Sequence, residues 1–128
     1  MSQPNTLRPT TGAIAAGART GNLLLGSLIQ YPGVPSVVRV TGTVPAAASG
    51  DGLLQLTIGG RVVTGAIGLV IPTELAAGRG PDAQLGWLYE GPAMGNELLE
   101  LVVVNQDTTN AIAAPGATLL IQVQPVVG

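Results

Sequence analysis

The sequence predicts an all-β fold, an antiparallel β-sandwich or jelly-roll-like barrel of about eight short strands with an extended N-terminal arm. Three observations predict it. The apolar runs are short and rich in Val, Ile, Leu and Thr. Among 128 residues, 19 glycines and 10 prolines punctuate those runs. Within several runs apolar and polar residues alternate with the period of two that a half-buried strand requires.

Taken in chain order, residues 1–21 read as the arm. Pro4 and Pro9, several Thr and the small residues of 12–18 offer too little apolar area to fold alone. Such an arm is either disordered or ordered by lying on another subunit. Residues 22–128 read as a single domain, with strands expected near 22–30, 36–44, 53–58, 61–70, 83–89, 98–105 and 117–124. A further short strand within 12–18 or 108–113 brings the number to eight. Helix has little support, because 73–77 and 111–114 are about one turn each and are bounded by Pro or Gly. Residues 46–52 and 78–82 read as flexible loops.

The firmest local reading is a hairpin at Gly59-Gly60, where two glycines accept the positive φ that primed turns require. The implied register sets Ile58 opposite Arg61, Leu56 opposite Val63 and Leu54 opposite Gly65. Thr57 then meets Val62 and Gln55 meets Thr64 on the other face. One face is mostly apolar and the other mostly polar, as an antiparallel pair with one solvated side should be. In 117–124, Leu119, Ile121 and Val123 share a face, opposite Thr118, Gln122 and Gln124. In 98–105, Leu99, Leu101 and Val103 share the inner face, while Val102 and Val104 make the outer face apolar beyond Glu100. A strand apolar on both faces is central or packs on a neighbouring subunit.

Charge is the most restrictive feature. Only 9% of residues are charged, against about 25% in an ordinary soluble domain. All five basic residues are arginine (Arg8, Arg19, Arg39, Arg61, Arg79), and the mean hydropathy is +0.47. Two explanations compete: a membrane protein, or a surface covered by other copies or partners. No apolar run approaches the ~20 residues of a spanning helix. Three aromatics (Tyr31, Trp87, Tyr89) are too few for the girdles of a membrane barrel. Residues 1–8 contain no apolar stretch, so no cleaved export signal is expected.

The chemistry-bearing residues are sparse. There is no His and no Cys, and lysine is absent too. Histidine acid–base work, thiol and Ser-His-Asp nucleophiles, Schiff bases and the usual zinc or copper sites are thereby excluded. Seven acids remain: Asp51, Glu74, Asp82, Glu90, Glu97, Glu100 and Asp107. Glu97 and Glu100 fall on opposite strand faces, so they do not pair. Asp82 with Glu90, flanking Trp87, is the one conceivable carboxylate pair for hydrolysis. The simpler reading is that these acids are solvated charges. No catalytic, cofactor-binding or metal-binding residue is expected.

The glycines at 12 and 17 mimic a phosphate loop, but Ala18 stands where that loop needs lysine. With a net charge of −2, nucleic-acid binding is disfavoured. Arg8 and Arg19 are expected to anchor the arm through their guanidinium forks. Trp87 and Tyr89 share a face by parity and are expected as core filler, with a subunit interface or a sugar-stacking platform as alternatives. The candidate interface residues are therefore Arg8, Arg19, Trp87, Tyr89, Val102 and Val104.

The Pro- and Thr-containing arm, the short strands, the Ala/Gly-rich loops, the low charge and the closing strand–loop–strand of 97–124 are features in which the chain resembles small jelly-roll or β-sandwich virion proteins. These are minor capsid or decoration proteins of bacterial viruses. The resemblance implies a non-enzymatic homo-oligomer that binds itself and other virion proteins, located in the virion after assembly in the host cytoplasm. It implies no nucleic-acid, membrane or small-molecule partner. A different class of function, a carbohydrate- or ligand-binding module, would use Trp87, Tyr89 and Tyr31 as its platform.

Overall fold

The structure, a computed structural model, describes residues 5–45, 50–65, 67–73, 86–113 and 116–126. Eight strands follow one another: β1 (Asn5–Leu7), β2 (Ser36–Thr43), β3 (Gly52–Ile58), β4 (Arg61–Val62), β5 (Leu69–Val70), β6 (Tyr89–Ala93), β7 (Leu99–Asn105) and β8 (Thr118–Pro125). No helix occurs among the described residues. The strands form two antiparallel sheets. One has the order β1-β8-β2-β6. In the other, β3 is central, with β7 on one edge and β4 and β5 end to end along the other.

Alternation dictates which side of each sheet is dry. Val38, Val40, Leu119, Ile121 and Val123 of the first sheet join Leu54, Leu56, Ile58, Leu99, Leu101 and Val103 of the second in one buried cluster. Burying each such side chain favours folding by ~1.5–3 kcal/mol. With no Phe in the chain, this core is almost entirely aliphatic. The outer side of the first sheet carries a polar row: Gln122 stands opposite Arg39, and Arg39 opposite Glu90. Arg39 pairs with the Glu90 carboxylate through Nε and donates from Nη1 to Gln122 Oε1 at 3.2 Å.

The expected hairpin is present, with φ of +58° and +83° at Gly59 and Gly60 and with Ile58 opposite Arg61 and Thr57 opposite Val62. The single strand expected over 61–70 breaks in two. Leu69, not Gly65, stands opposite Leu54, so four residues are looped out. The cause is local. Thr64 turns inward and its Oγ1 accepts the Leu56 N–H at 3.2 Å, replacing a ladder carbonyl. Gly65 and Gly68 then take positive φ and carry the chain away and back.

Residues 22–30, expected as a strand, form consecutive turns instead. The Asn22 side chain captures its own backbone, with Oδ1 accepting the Leu24 N–H at 3.0 Å, which competes with strand pairing. Of the strand expected over 83–89, residues 83–85 lie outside the described residues, and pairing begins at Tyr89. The expected loop 78–82, most of 46–52, Glu74, Arg79, Asp82 and the possible helical turn after Thr73 also lie outside them.

The N-terminal segment is extended, but it lies on its own chain rather than reaching away. β1 pairs with β8, from Asn5 opposite Val123 to Leu7 opposite Ile121. Thr10, Gly12 and Ile14 then bridge to Thr118, Gly116 and Ile112, and Arg19 bridges to Val104. The segment thus begins on the edge of one sheet and ends on the edge of the other. Thr20 Oγ1 and Asn22 Oδ1 accept the Val103 and Leu101 N–H groups at 3.1 and 3.0 Å. These side chains satisfy a strand edge that would otherwise invite pairing with another chain.

Candidate interaction surface

The strand registers give the molecule two ends. Thr43, Gly52, Asn105 and Thr118 mark one, while Ser36, Ile58, Ala93, Leu99 and Pro125 mark the other. The ends are built from different residue types.

The first end is polar and closed. Asn105 is fully buried and uses its whole amide. Its Oδ1 accepts the Asp51 and Asp107 N–H groups at 3.0 and 3.1 Å. Its Nδ2 donates to the carbonyls of Ile14, Ala15 and Asn110 at 3.3, 3.2 and 2.9 Å. Asp107 continues the network, accepting from the N–H groups of Thr109 and Asn110 at 2.8 and 2.9 Å. These bonds, with one from the Asn110 side chain, hold the Asp107 carboxyl below its ordinary range. Gly116 stacks so closely on Gly12 that a Cβ would strike the Gly12 carbonyl. Among the described residues, this end therefore carries the acids Asp51 and Asp107. No group of three or more acidic residues able to hold a metal ion occurs among the described residues.

The second end is apolar and open. Leu28 is 97% exposed, Leu25 74%, Met94 56% and Tyr31 53%, and Val34 and Val126 are also exposed. Pairing brings them together. Ser36 stands opposite both Ala93 and Pro125, so one step outward Pro35 lies between Met94 and Val126. The Val126 N–H donates to Pro35 O at 3.1 Å, and the Gly33 N–H donates to Gly95 O at 2.9 Å. The turns carrying Leu25 and Leu28 are held to the same end, because the Leu99 N–H donates to Gln30 O at 2.8 Å. Leu24 and Ile29 point inward as plugs of the core, leaving their neighbours outside. The Ser27 hydroxyl is buried there without a hydrogen-bond partner among the described residues.

An ion pair lies at this end. Arg61 Nη2 pairs with Glu97 Oε2 at 2.7 Å, Arg61 Nε donates to Ile58 O at 3.2 Å, and Glu97 Oε1 accepts the Met94 N–H at 2.8 Å. Together with Pro92 and Ala93, these residues line a shallow recess of about 230 Å³. That is smaller than the ~300–1,000 Å³ of most small-molecule sites.

The residues singled out from the sequence are dispersed. Tyr89 opens β6 and packs partly on the core, with its hydroxyl over Gly91. Burial pushes its phenol pKa up, and the Arg61 guanidinium partly opposes this. Trp87 is half-buried just before β6, and Arg8 is exposed after β1. Val102 and Val104 are half-buried on the outer side of β7. Arg19 lies beside Val104 and donates from Nη2 to Gln55 Oε1 at 3.3 Å. Tyr31 sits at the apolar end, whereas Tyr89 lies inward, opposite Val40. The exposed cluster of Leu25, Leu28, Val34, Met94 and Val126 was not singled out. Its signal was Asn22, Gly26, Ser27 and Gly33 among adjacent leucines, turn formers that leave half of an apolar run facing out. Compared with protein-family models, curated proteins and solved structures, the chain matches none.

Proposed function

We propose that this chain is a non-enzymatic structural protein that self-assembles or docks on a viral capsid, as a minor capsid, decoration or shell component with a sandwich of jelly-roll type. The observation that carries this reading is the crowding of exposed large apolar side chains on a chain with only 9% charged residues. Exposed apolar patches of this kind mark association surfaces. The mechanism is burial of apolar surface between subunits, so the protein acts by binding energy rather than by chemistry.

The test is native mass measurement of the purified chain over a concentration series, with a pull-down of virion proteins beside it. Discrete oligomers or a captured capsid protein support the reading. A monodisperse monomer at high micromolar concentration that captures nothing sinks it. The ligand-binding alternative gains little from the placement of its platform, since Tyr31 is exposed at the apolar end while Tyr89 packs partly on the core opposite Val40. Trp87→Ala separates the two readings, since only a sugar-binding module would lose glycan affinity while keeping its fold.

A further inference from the structure

We infer that the apolar end is a self-complementary interface, on which a second copy of this chain docks end to end about a two-fold axis. The inference rests on the assembly reading and names the surface and the partner.

Three observations select a second copy in this orientation. The first is area. Leu25, Leu28, Tyr31, Val34, Met94 and Val126 together expose on the order of 500 Å² of side chain, at the top of the ~300–600 Å² range for the largest patch on a monomer. A standard interface takes ~800 Å² from each partner, so this patch plus a polar rim suffices for a dimer. The second is charge. Arg61 and Glu97 pair with each other at this end, so neither presents an unpaired like charge to a second copy. The third is the contrast with the opposite end. Head-to-tail docking would press the apolar end onto Asp51 and Asp107, which form no ion pair among the described residues, and removing such carboxylates from water is costly. Head-to-head contact avoids that cost and closes after two subunits, as an isologous contact must.

The edges of β7 and β8 do not compete for this role. The segment 5–23 already covers them, and its hydrogen bonds would have to break before another strand could pair there.

Sedimentation and native mass measurement of the wild type, Leu28→Glu and Val70→Glu test the inference. Leu28 and Val70 are both exposed, so neither substitution disturbs the core, and circular dichroism verifies that each variant folds. The wild type is expected to dimerise, Leu28→Glu to weaken the dimer by about 100-fold, as loss of a central anchor does, and Val70→Glu to leave it unchanged. Because the chain has no cysteine, a single Leu28→Cys substitution reports orientation. Oxidation should join two copies through that residue, and Val70→Cys should stay unjoined. An oligomer indifferent to Leu28→Glu but dissolved by Val70→Glu overturns the inference and leaves the assembly reading standing. A wild type that stays monomeric but captures a capsid protein also overturns it, and assigns the end to that protein. A monomer that captures nothing overturns both.

Discussion

The two ends of the molecule are built from the same short strands, yet they solve opposite problems. At the acidic end, Asn105 serves five backbone groups from residues 14, 15, 51, 107 and 110 with one buried amide. At the apolar end, leucines alternate between core and solvent within a single run of turns, and the Ser27 hydroxyl has no partner among the described residues. A polar cluster in a low-dielectric setting is stable only when nearly every member is bonded. An apolar cluster has no such directional demand. The difference teaches that the acidic end is a structural lock, whereas the apolar end leaves large side chains exposed, the surface proposed as an interface.

The contrast can be broken most severely at the lock. Asn105→Ala strands two N–H groups and three carbonyls around a buried side chain, and is expected to cost about 4 kcal/mol in chemical denaturation. Loss below about 1 kcal/mol would mean that water replaces the amide and the lock is not buried. At the other end, Leu24→Ala empties a fully buried position and is expected to cost about 3 kcal/mol. Leu25→Ala, one residue on, should stay within about 0.5 kcal/mol. Equal costs at the two positions would show that the exposed leucine is already packed.

Gly116→Ala tests how the N-terminal segment is fastened. Gly116 has φ of +81° and no room for a Cβ beside Gly12. We expect a loss of about 2 kcal/mol, with faster amide exchange confined to residues 10–14 if the segment detaches as a unit. The smallest effect concerns acid. The Asp107 pKa is depressed in the fold, so its contribution to stability is present above the ordinary value of 3.8 and is lost as pH falls through the lower folded value. Asp107→Asn should lower stability at neutral pH, flatten that acid limb and converge on the wild type as pH falls below the folded value. An unaltered acid limb would assign acid sensitivity to other carboxylates.

How much of this was legible depended on the segment. The strand of 98–105 was readable because Leu99, Leu101 and Val103 alternate with Glu100, Val102 and Val104, and all three inner residues are fully buried. The hairpin was readable because only glycine takes two consecutive positive φ values cheaply. The broken strand after Val63 was not, since nothing local says that Thr64 prefers the Leu56 N–H to a place in the ladder. The turns of 22–30 have strand-like hydrophobicity, and the side-chain bond of Asn22 outweighed it. Residues 1–21 were read as an arm, disordered or lying on another subunit, and the pairing of 5–19 with its own chain was not legible. Its partners lie about a hundred residues away, on β7, β8 and the loop before β8.

The candidate surface followed the same division. The sequence by itself determined that charge is scarce, that aliphatic side chains must fill the core, and that histidine, cysteine and lysine chemistry is absent. Composition sets these limits whatever the chain's path. Only the tertiary structure decided which apolar residues stay outside. Leu24 and Leu25 are chemically identical neighbours, and one is a core plug while the other faces water. That choice depends on the direction in which the turn meets the end of β7, a relation between distant parts of the chain that no local pattern encodes.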